Sequence, residues 1–403
     1  MNSPSHPNQF TNPFRPGAGH TPPYLAGRQA ETEEFKRLLQ QDIILENMIL
    51  TGLRGVGKTV LSDALKPIAV SSGWRWVGTD LSESASVSEN NIALRLITDL
   101  AVVTSAYKVS ERTSQSIGFN PTEQRQSINL DYNILMHLYD STPGLASDKL
   151  KYVLEFAWEI IKDTDKRGLI FAYDEAQNLS DHAEKEQYPT SLLLDVFQSI
   201  QKKNIPFMLV LVGLPTLFPR LVEARTFAER MFRVLFLDKL TDKDSRDAIL
   251  KPIEATGCPI VMNDESVELI IKVSGGYPYF IQFLCREAYD SFLQGNQSVP
   301  VDEITRKLDN DFFSGRWARA TDRQRELLTV IAKLDNSERE FTAREVSEKS
   351  NEVLEKPFSP SHVSQMLGTL TNAGLTYKNR YGKYSFAVPL LNRFILRQAT
   401  RNL

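Results

Sequence analysis

The sequence predicts an α/β fold: a core on a five-stranded parallel sheet, followed by an all-helical lid and a C-terminal winged helix-turn-helix. Three observations predict it. Five short apolar runs (48–50, 74–77, 169–173, 207–212 and 234–237) alternate with helical stretches. After Leu240 the strand-like runs stop and helical patterns take over. In the last eighty-odd residues, three helix signals precede two short strand signals around a glycine-containing turn.

The apolar runs lack polar alternation, as expected of strands buried on both faces and joined by crossover helices. Helical stretches at 60–68, within 91–107, at 150–161 and at 192–201 supply the crossovers. The segment 108–148 is long and polar and is expected to hold an inserted or mobile element. Residues 1–23, rich in Pro, Asn, Ser and Gly, read as a flexible strap on the surface. From Tyr24 a helical pattern places Phe35, Leu38 and Leu39 on one face. The core is therefore assigned to 24–240.

The lid is assigned to 241–317. Thr241 reads as an N-cap with Asp244 three residues on, and helical patterns follow at 264–274, 278–293 and 301–314. The winged-helix domain is assigned to 318–403. Thr321 with Gln324, and Thr342 with Glu345, are spaced as capping boxes. The helix in "SPSHVSQMLGTLTNAGL" ends at Gly374, suited to a left-handed C′ position. "TYKNRYGKYSFAV" then reads as a hairpin, the wing.

Bulk composition bounds the function. The net charge of −3 argues against a protein that coats nucleic acid uniformly, while leaving room for a local basic face. Two isolated cysteines, Cys258 and Cys285, suggest a reducing compartment, and no histidine has metal-ligand spacing. There is no apolar run of bilayer length, and "MNSPSHPNQF" has neither a basic start nor an apolar core. A cytoplasmic protein with no membrane contact is expected.

The sharpest local signal is "GLRGVGKT", residues 52–59, which fits G-x-x-x-x-G-K-[ST] between an apolar strand and an amphipathic helix. Glycine permits the tight turn that aims successive backbone N–H groups at phosphate oxygens, and the helix N-terminus adds partial positive charge. This assigns Gly52, Arg54, Gly55, Val56, Gly57, Lys58, Thr59 and Val60 to nucleotide contact. Lys58 is expected to reach the β- and γ-phosphates and the Thr59 hydroxyl to ligate Mg²⁺. The partner motif is "LIFAYDEAQNL", residues 169–179. Its apolar run puts Asp174 at the carboxyl end of a strand, where open α/β sheets bind ligands. Asp174 is expected to hold Mg²⁺ through water and Glu175 to polarise the attacking water. The Asp-Glu pair suits hydrolysis better than transfer to a bound acceptor, which disfavours a small-molecule kinase.

Together these motifs resemble the AAA+ P-loop ATPases, most of all the branch with replication-initiator ATPases, transposition-helper ATPases and STAND switches. The resemblance spans 24–400. It implies that "YLAGRQAE" is the Gly-Arg box cupping the adenine, through Leu25, Ala26, Gly27 and Arg28. It implies that Pro278, in "GGYPYFIQFL", approaches the base or sugar from the lid. Two departures accompany it. The fourth strand ends in Gly213, Leu214, Pro215 and Thr216 rather than a polar sensor, and Thr216 is a poor substitute. The lid's usual sensor arginine is replaced by the Gly-Tyr-Pro pattern, with Arg286 two turns later. Both favour a slow switch over a processive motor.

The resemblance also implies an arginine reaching into a neighbouring subunit's nucleotide. Arg225, Arg230 and Arg233 lie near the required position, with Arg230 leading and ordinary surface pairing the alternative for each. Such a residue would act as a third catalytic group beside Lys58 and Glu175 and would require an oligomer. From Lys356 onward there are seven Lys/Arg and no Asp or Glu. Lys378, Arg380 and Lys383 fall on the wing, and the preceding helix offers Ser361 and Gln365. That helix has no Arg or Lys for guanine, so backbone-dominated contact with duplex DNA is expected. The expectation is thus an ATP- and Mg²⁺-dependent switch that hydrolyses slowly, assembles as a homo-oligomer and contacts DNA. The alternative is a STAND-like signalling or defence ATPase in a hetero-complex, whose winged helix binds an effector protein.

Overall fold

Continuous apolar runs mark strands covered on both faces. The computed structural model describes residues 12–17, 19–113, 124–295, 299–379 and 382–401. Its first seven strands are β1 (Asn47–Gly52), β2 (Trp74–Val77), β3 (Lys108–Thr113), β4 (Gln124–Asn129), β5 (Gly168–Tyr173), β6 (Phe207–Gly213) and β7 (Phe232–Leu237). Five of them form one sheet in the order β2-β5-β6-β1-β7. The pairings β2–β5, β5–β6 and β6–β1 are parallel, with Trp76 opposite Ile170, Ile170 opposite Met208 and Met48 opposite Val210. The three central strands are buried at every position. The edge strand β7 is buried only at its two ends. All five predicted runs fall on these strands. Because β1, β5 and β6 run the same way, their carboxyl ends share one edge, and the loops that carry the candidate site residues leave from there.

The chain divides into two compact units. The first comprises Glu31–Thr51 and Ser62–Phe236. Its core packs Leu96, Leu100, Leu154, Phe171, Phe197 and Phe207 against the sheet. The segment expected to be an insert proves to be mixed. β3 and β4 form a separate antiparallel ladder, Lys108 opposite Asn129 through Thr113 opposite Gln124. Helix Tyr132–Ser141 that follows is capped by Asp131, which accepts from Ile134 N at 3.1 Å. Its Leu135 and Tyr139 join the same core as Leu150 and Val153, so this part is structural. The polar residues that suggested an insert lie on the opposite helix face and in β3 and β4, and 114–123 lie outside the described residues.

The second unit comprises the residues up to Ala30, Gly52–Leu61 and Leu237–Leu403. Helices Asp242–Thr256, Asp264–Ser274, Pro278–Leu293 and Val301–Leu308 follow one another. The last runs into a π-helical turn, Asp309–Ser314. Thr241 accepts from Asp244 N at 3.1 Å, and Gly257 at φ +61° ends the first helix. Next come helices Asp322–Ala332, Ala343–Val353 and Pro360–Asn372, then β8 (Thr376–Lys378) and β9 (Tyr384–Phe386) in antiparallel register. Both capping boxes are formed, and Gly374 has φ +70°.

Two features of this unit lay outside the sequence reading. Phe14 is buried in the helical core, and Arg15 N donates to Gln282 Oε1 at 3.1 Å, so the strap is pinned there. A final helix, Leu391–Arg401, packs Phe394 on Phe313 with ring centroids 5.3 Å apart. From this helix Arg397 pairs with the fully buried Asp309, and Arg393 donates to the Lys272 carbonyl at 2.9 Å. One apolar core therefore runs from the lid helices into the C-terminal helices. Arg397→Ala would strand the Asp309 carboxylate away from water. We expect a stability loss of about 2–4 kcal/mol, read from denaturant midpoints, with nucleotide affinity much less affected.

Candidate functional site

The loop after β1 depends on glycine where the backbone approaches most closely. A Cβ on Gly52 would sit 2.4 Å from the Leu237 carbonyl oxygen. Gly55 and Gly57 have φ of +79° and +89°, in the left-handed region that disfavours other residues. Helix Lys58–Ser71 begins directly after the loop. Lys58 Nζ donates to the carbonyls of Gly52 (3.0 Å) and Leu53 (2.9 Å), so its ammonium folds back over the loop. Thr59 and Val60 are half-buried on the first helical turn, and Val56 is buried.

Two other segments support this loop. Arg28 is buried and donates through Nη2 to the carbonyls of Val56 (2.9 Å) and Asp238 (2.8 Å). This cation holds the loop backbone, whereas the resemblance implied contact with a base. Leu25 is half-buried and Ala26 buried in the helical core. Gly27, at φ +63°, lies so close to Leu240 and Asp244 that a Cβ would meet them within 3 Å. Pro278 occupies the first turn of helix Pro278–Leu293, and the next residue, Tyr279, donates its N–H to the Gly55 carbonyl at 3.1 Å.

The Tyr279 ring packs on Phe312 at 5.2 Å, and the Arg316 guanidinium lies 4.3 Å above Phe312. Desolvation, then the nearby Arg54 and Arg319, push the Arg316 guanidinium below its ordinary pKa. Among the described residues no carboxylate forms an ion pair with Arg54, Arg316 or Arg319. This cationic group next to the loop suits a polyanion. Arg316 and Arg319 were missed in the sequence, since nothing local in "SGRWARA" separates them from surface arginines. Arg286, the alternative lid arginine, pairs with Glu287 at 2.8 Å and lies over Phe283.

At the carboxyl end of β5, Asp174 extends the pairing with the segment after β2. Its N–H donates to Thr79 O (3.2 Å) and its carbonyl accepts from Leu81 N (2.9 Å). The Asp174 carboxylate accepts from Glu175 N at 2.7 Å. Glu175 is exposed and left-handed, at φ 51° and ψ 30°. Its carboxylate accepts from Gln177 Nε2, while Gln177 Oε1 accepts from Leu214 N at 3.0 Å. Partial desolvation raises the Asp63 carboxyl, and Asp174 and Asp80 push the same way against the pull of Lys66.

The Walker-type ATPase PABY2304 of Pyrococcus abyssi superposes with a TM-score of 0.58 at 13% identity, covering 92% of this chain and 96% of its own. The Aeropyrum pernix ORC2 protein, in its ADPNP–ADP complexes, superposes with a TM-score of 0.54 at 13% identity, covering 96% and 98%. The fold is that of an α/β P-loop NTPase. Residues 310–395 match a family model described as a domain of unknown function (DUF8462). No curated protein sequence matches the chain. No helix of the described residues is long and apolar enough to cross a membrane.

On this P-loop NTPase fold, Arg225 and Arg230 before β7 and Arg233 within it separate cleanly. Arg225 makes a two-pronged bond to Asp195, at 2.9 and 2.7 Å, and donates to Ser191 Oγ. Arg233 pairs with Glu34 at 2.5 Å. Arg230 is exposed, and no ion pair is formed by it among the described residues. At the C-terminus, Ser361 and Gln365 are exposed on helix Pro360–Asn372 beside Gly368, which has open space around it. Lys378 is exposed, with Nζ 5.7 Å from the Tyr384 ring, and Lys383 lies 3.9 Å from Glu340. Arg380 lies outside the described residues. Part of the C-terminal positive charge is therefore matched by Glu338, Glu340 and Asp309.

Proposed function

We propose that this chain is an ATP-binding switch that hydrolyses ATP slowly. The observation that carries the reading is the preformed phosphate loop: Lys58 lies across the Gly52 and Leu53 carbonyls, on a fold shared with a Walker-type ATPase. The loop amides and Lys58 grip the β- and γ-phosphates. Arg54 and Arg316 add positive charge. Thr59 and Asp174 are the residues proposed to hold Mg²⁺, which takes one or two protein oxygens and completes its shell with phosphates and water. Bound there, Mg²⁺ would neutralise charge on the β- and γ-phosphates. Glu175 takes the proton from water as the water oxygen attacks the γ-phosphorus, and the bridging oxygen leaves with ADP. The weak sensor position at Thr216 and the engagement of Arg286 with Glu287 support slow turnover.

Arg230 is the arginine proposed to act on a neighbouring copy's nucleotide, because Arg225 and Arg233 are held in ion pairs of their own. Arg230→Ala should leave ATP affinity unchanged and lower turnover more than tenfold, at protein concentrations where the chain assembles. Equal turnover in dilute and assembled samples of both proteins would remove the role.

For the C-terminal winged helix we propose contact with duplex DNA. Ser361, Gln365 and Gly368 give this helix an exposed, uncharged face, and Lys378 is exposed on the strand that follows. A steep fall in DNA affinity with salt is expected, and Lys378→Ala should reduce the slope of log K against log[salt] by about one. The second reading, a signalling ATPase whose winged helix docks an effector protein, is favoured by the pairing of Arg393, Arg397 and Lys383 with carboxylates. Absence of duplex binding at low salt would select it.

A further inference from the structure

Resting on the reading of Glu175 as the general base, we propose that Gln177 is a positioning residue that holds Glu175 in a parked, non-productive pose. Five observations place it in that role. Glu175 has left-handed backbone, a conformation that strains a non-glycine residue. Its Oε2 accepts a hydrogen bond from Gln177 Nε2. Gln177 cannot follow the carboxylate elsewhere, because its own Oε1 accepts from Leu214 N at the end of β6. Its carbonyl also accepts from Arg220 Nη1 at 2.7 Å. Finally, the last residue of β6 is Gly213, where a Cβ would come within 2.7 Å of Gln177 Oε1. The missing side chain at Gly213 makes the room that the glutamine amide occupies.

The consequence is chemical. A general base needs a free lone pair directed at water, and the hydrogen bond donated by Gln177 occupies one on Glu175. The end of β6, where the sequence offers no polar sensor, acquires one from the neighbouring strand's loop. Gln177 ties the base to the Leu214 amide, so release of Glu175 requires the β6 end or the glutamine to shift. The clamp is a built-in brake on hydrolysis.

Single-turnover hydrolysis by the full chain tests this. Gln177→Ala should raise the rate at saturating ATP about three- to tenfold and leave ATP affinity by calorimetry unchanged. Gln177→Met, which keeps the volume but not the donor, should behave alike. Gly213→Ala, which leaves Glu175 and Gln177 in place but crowds the amide, should reproduce the acceleration. In a Glu175→Gln background the same changes should have no effect. An unchanged or lowered rate in Gln177→Met and Gly213→Ala alike overturns the clamp. Parental hydrolysis by Glu175→Gln alone would instead overturn the general-base reading, and is scored without any change at Gln177.

Discussion

Lys58→Ala should remove nearly all measurable ATP binding. Lys58 Nζ already lies 3.0 Å from Gly52 O and 2.9 Å from Leu53 O, so little ordering remains to be done when phosphate arrives. Truncating one partner of a buried, hydrogen-bonded charge pair costs about 2–5 kcal/mol, or roughly 30- to several-thousand-fold in affinity. The loop itself should survive, because Arg28 holds Val56, Tyr279 holds Gly55, and the glycine conformations are untouched. Calorimetric titration of the folded variant with ATP and ADP is the measurement. Parental affinity for both would show that "GLRGVGKT" is a capping turn rather than a phosphate site. The nucleotide reading would then fall with it. Arg28→Ala is a useful contrast, since it loosens the loop without removing a phosphate contact and should weaken affinity less than Lys58→Ala does.

How much of this was legible in the sequence depends on whether the information is local. The strands were, because β1, β5 and β6 are buried on both faces and so appear as unbroken apolar runs. The caps at Thr321 and Thr342 were, because a capping box is a contact across three residues. The tight loop after β1 was, because glycine at fixed spacing is a backbone requirement written in one octapeptide. What escaped reading is carried by distant contacts. Arg393 and Arg397 counted as part of a basic face, but they bond Glu338 and Asp309, 55 and 88 residues away. Arg28 was matched to a base-contacting motif, yet its guanidinium reaches carbonyls 28 and 210 residues on. Phe14 sits in a stretch whose composition reads as strap, and it is buried in a core shared with residues as distant as Leu240 and Phe280. Gln177 could have been noticed, since "DEAQ" places an amide two residues after the expected base. The open space that gives it meaning lies at Gly213, on another strand.

These non-local contacts also bear on how a nucleotide signal would be used. Tyr279 joins the phosphate loop to helix Pro278–Leu293, Phe312 and Phe313 continue the packing, and Phe394 and Arg397 carry it into the final helix. A change at Gly55 thus meets a chain of packed rings and one buried ion pair. Such a route needs two discrete arrangements to transmit anything. The π-helical turn Asp309–Ser314, which holds both Phe312 and Phe313, is the irregular element along it and the natural place to look for one.

Glu175→Gln should hold ATP at close to parental affinity and lower turnover about 10²- to 10⁴-fold, the range that a general base supplies. The substitution preserves shape. The left-handed φ of 51° is already borne by a non-glycine residue, and Gln177 Nε2 can still donate to the oxygen of the new carboxamide. Folding and the Asp174–Glu175 backbone bond should therefore be unaffected, and any assembly that ATP promotes should persist for longer. The measurements are phosphate release under single turnover and particle mass with ATP over time. Loss of turnover together with loss of binding would mean that Glu175 supports the site rather than reacts in it. Undiminished turnover would assign proton removal elsewhere. The sign also opposes that expected of Gln177→Ala: one change removes the base and the other frees it. An ATPase slowed by both substitutions has no clamp, and one accelerated by the second and silenced by the first has its rate set by a single amide hydrogen bond.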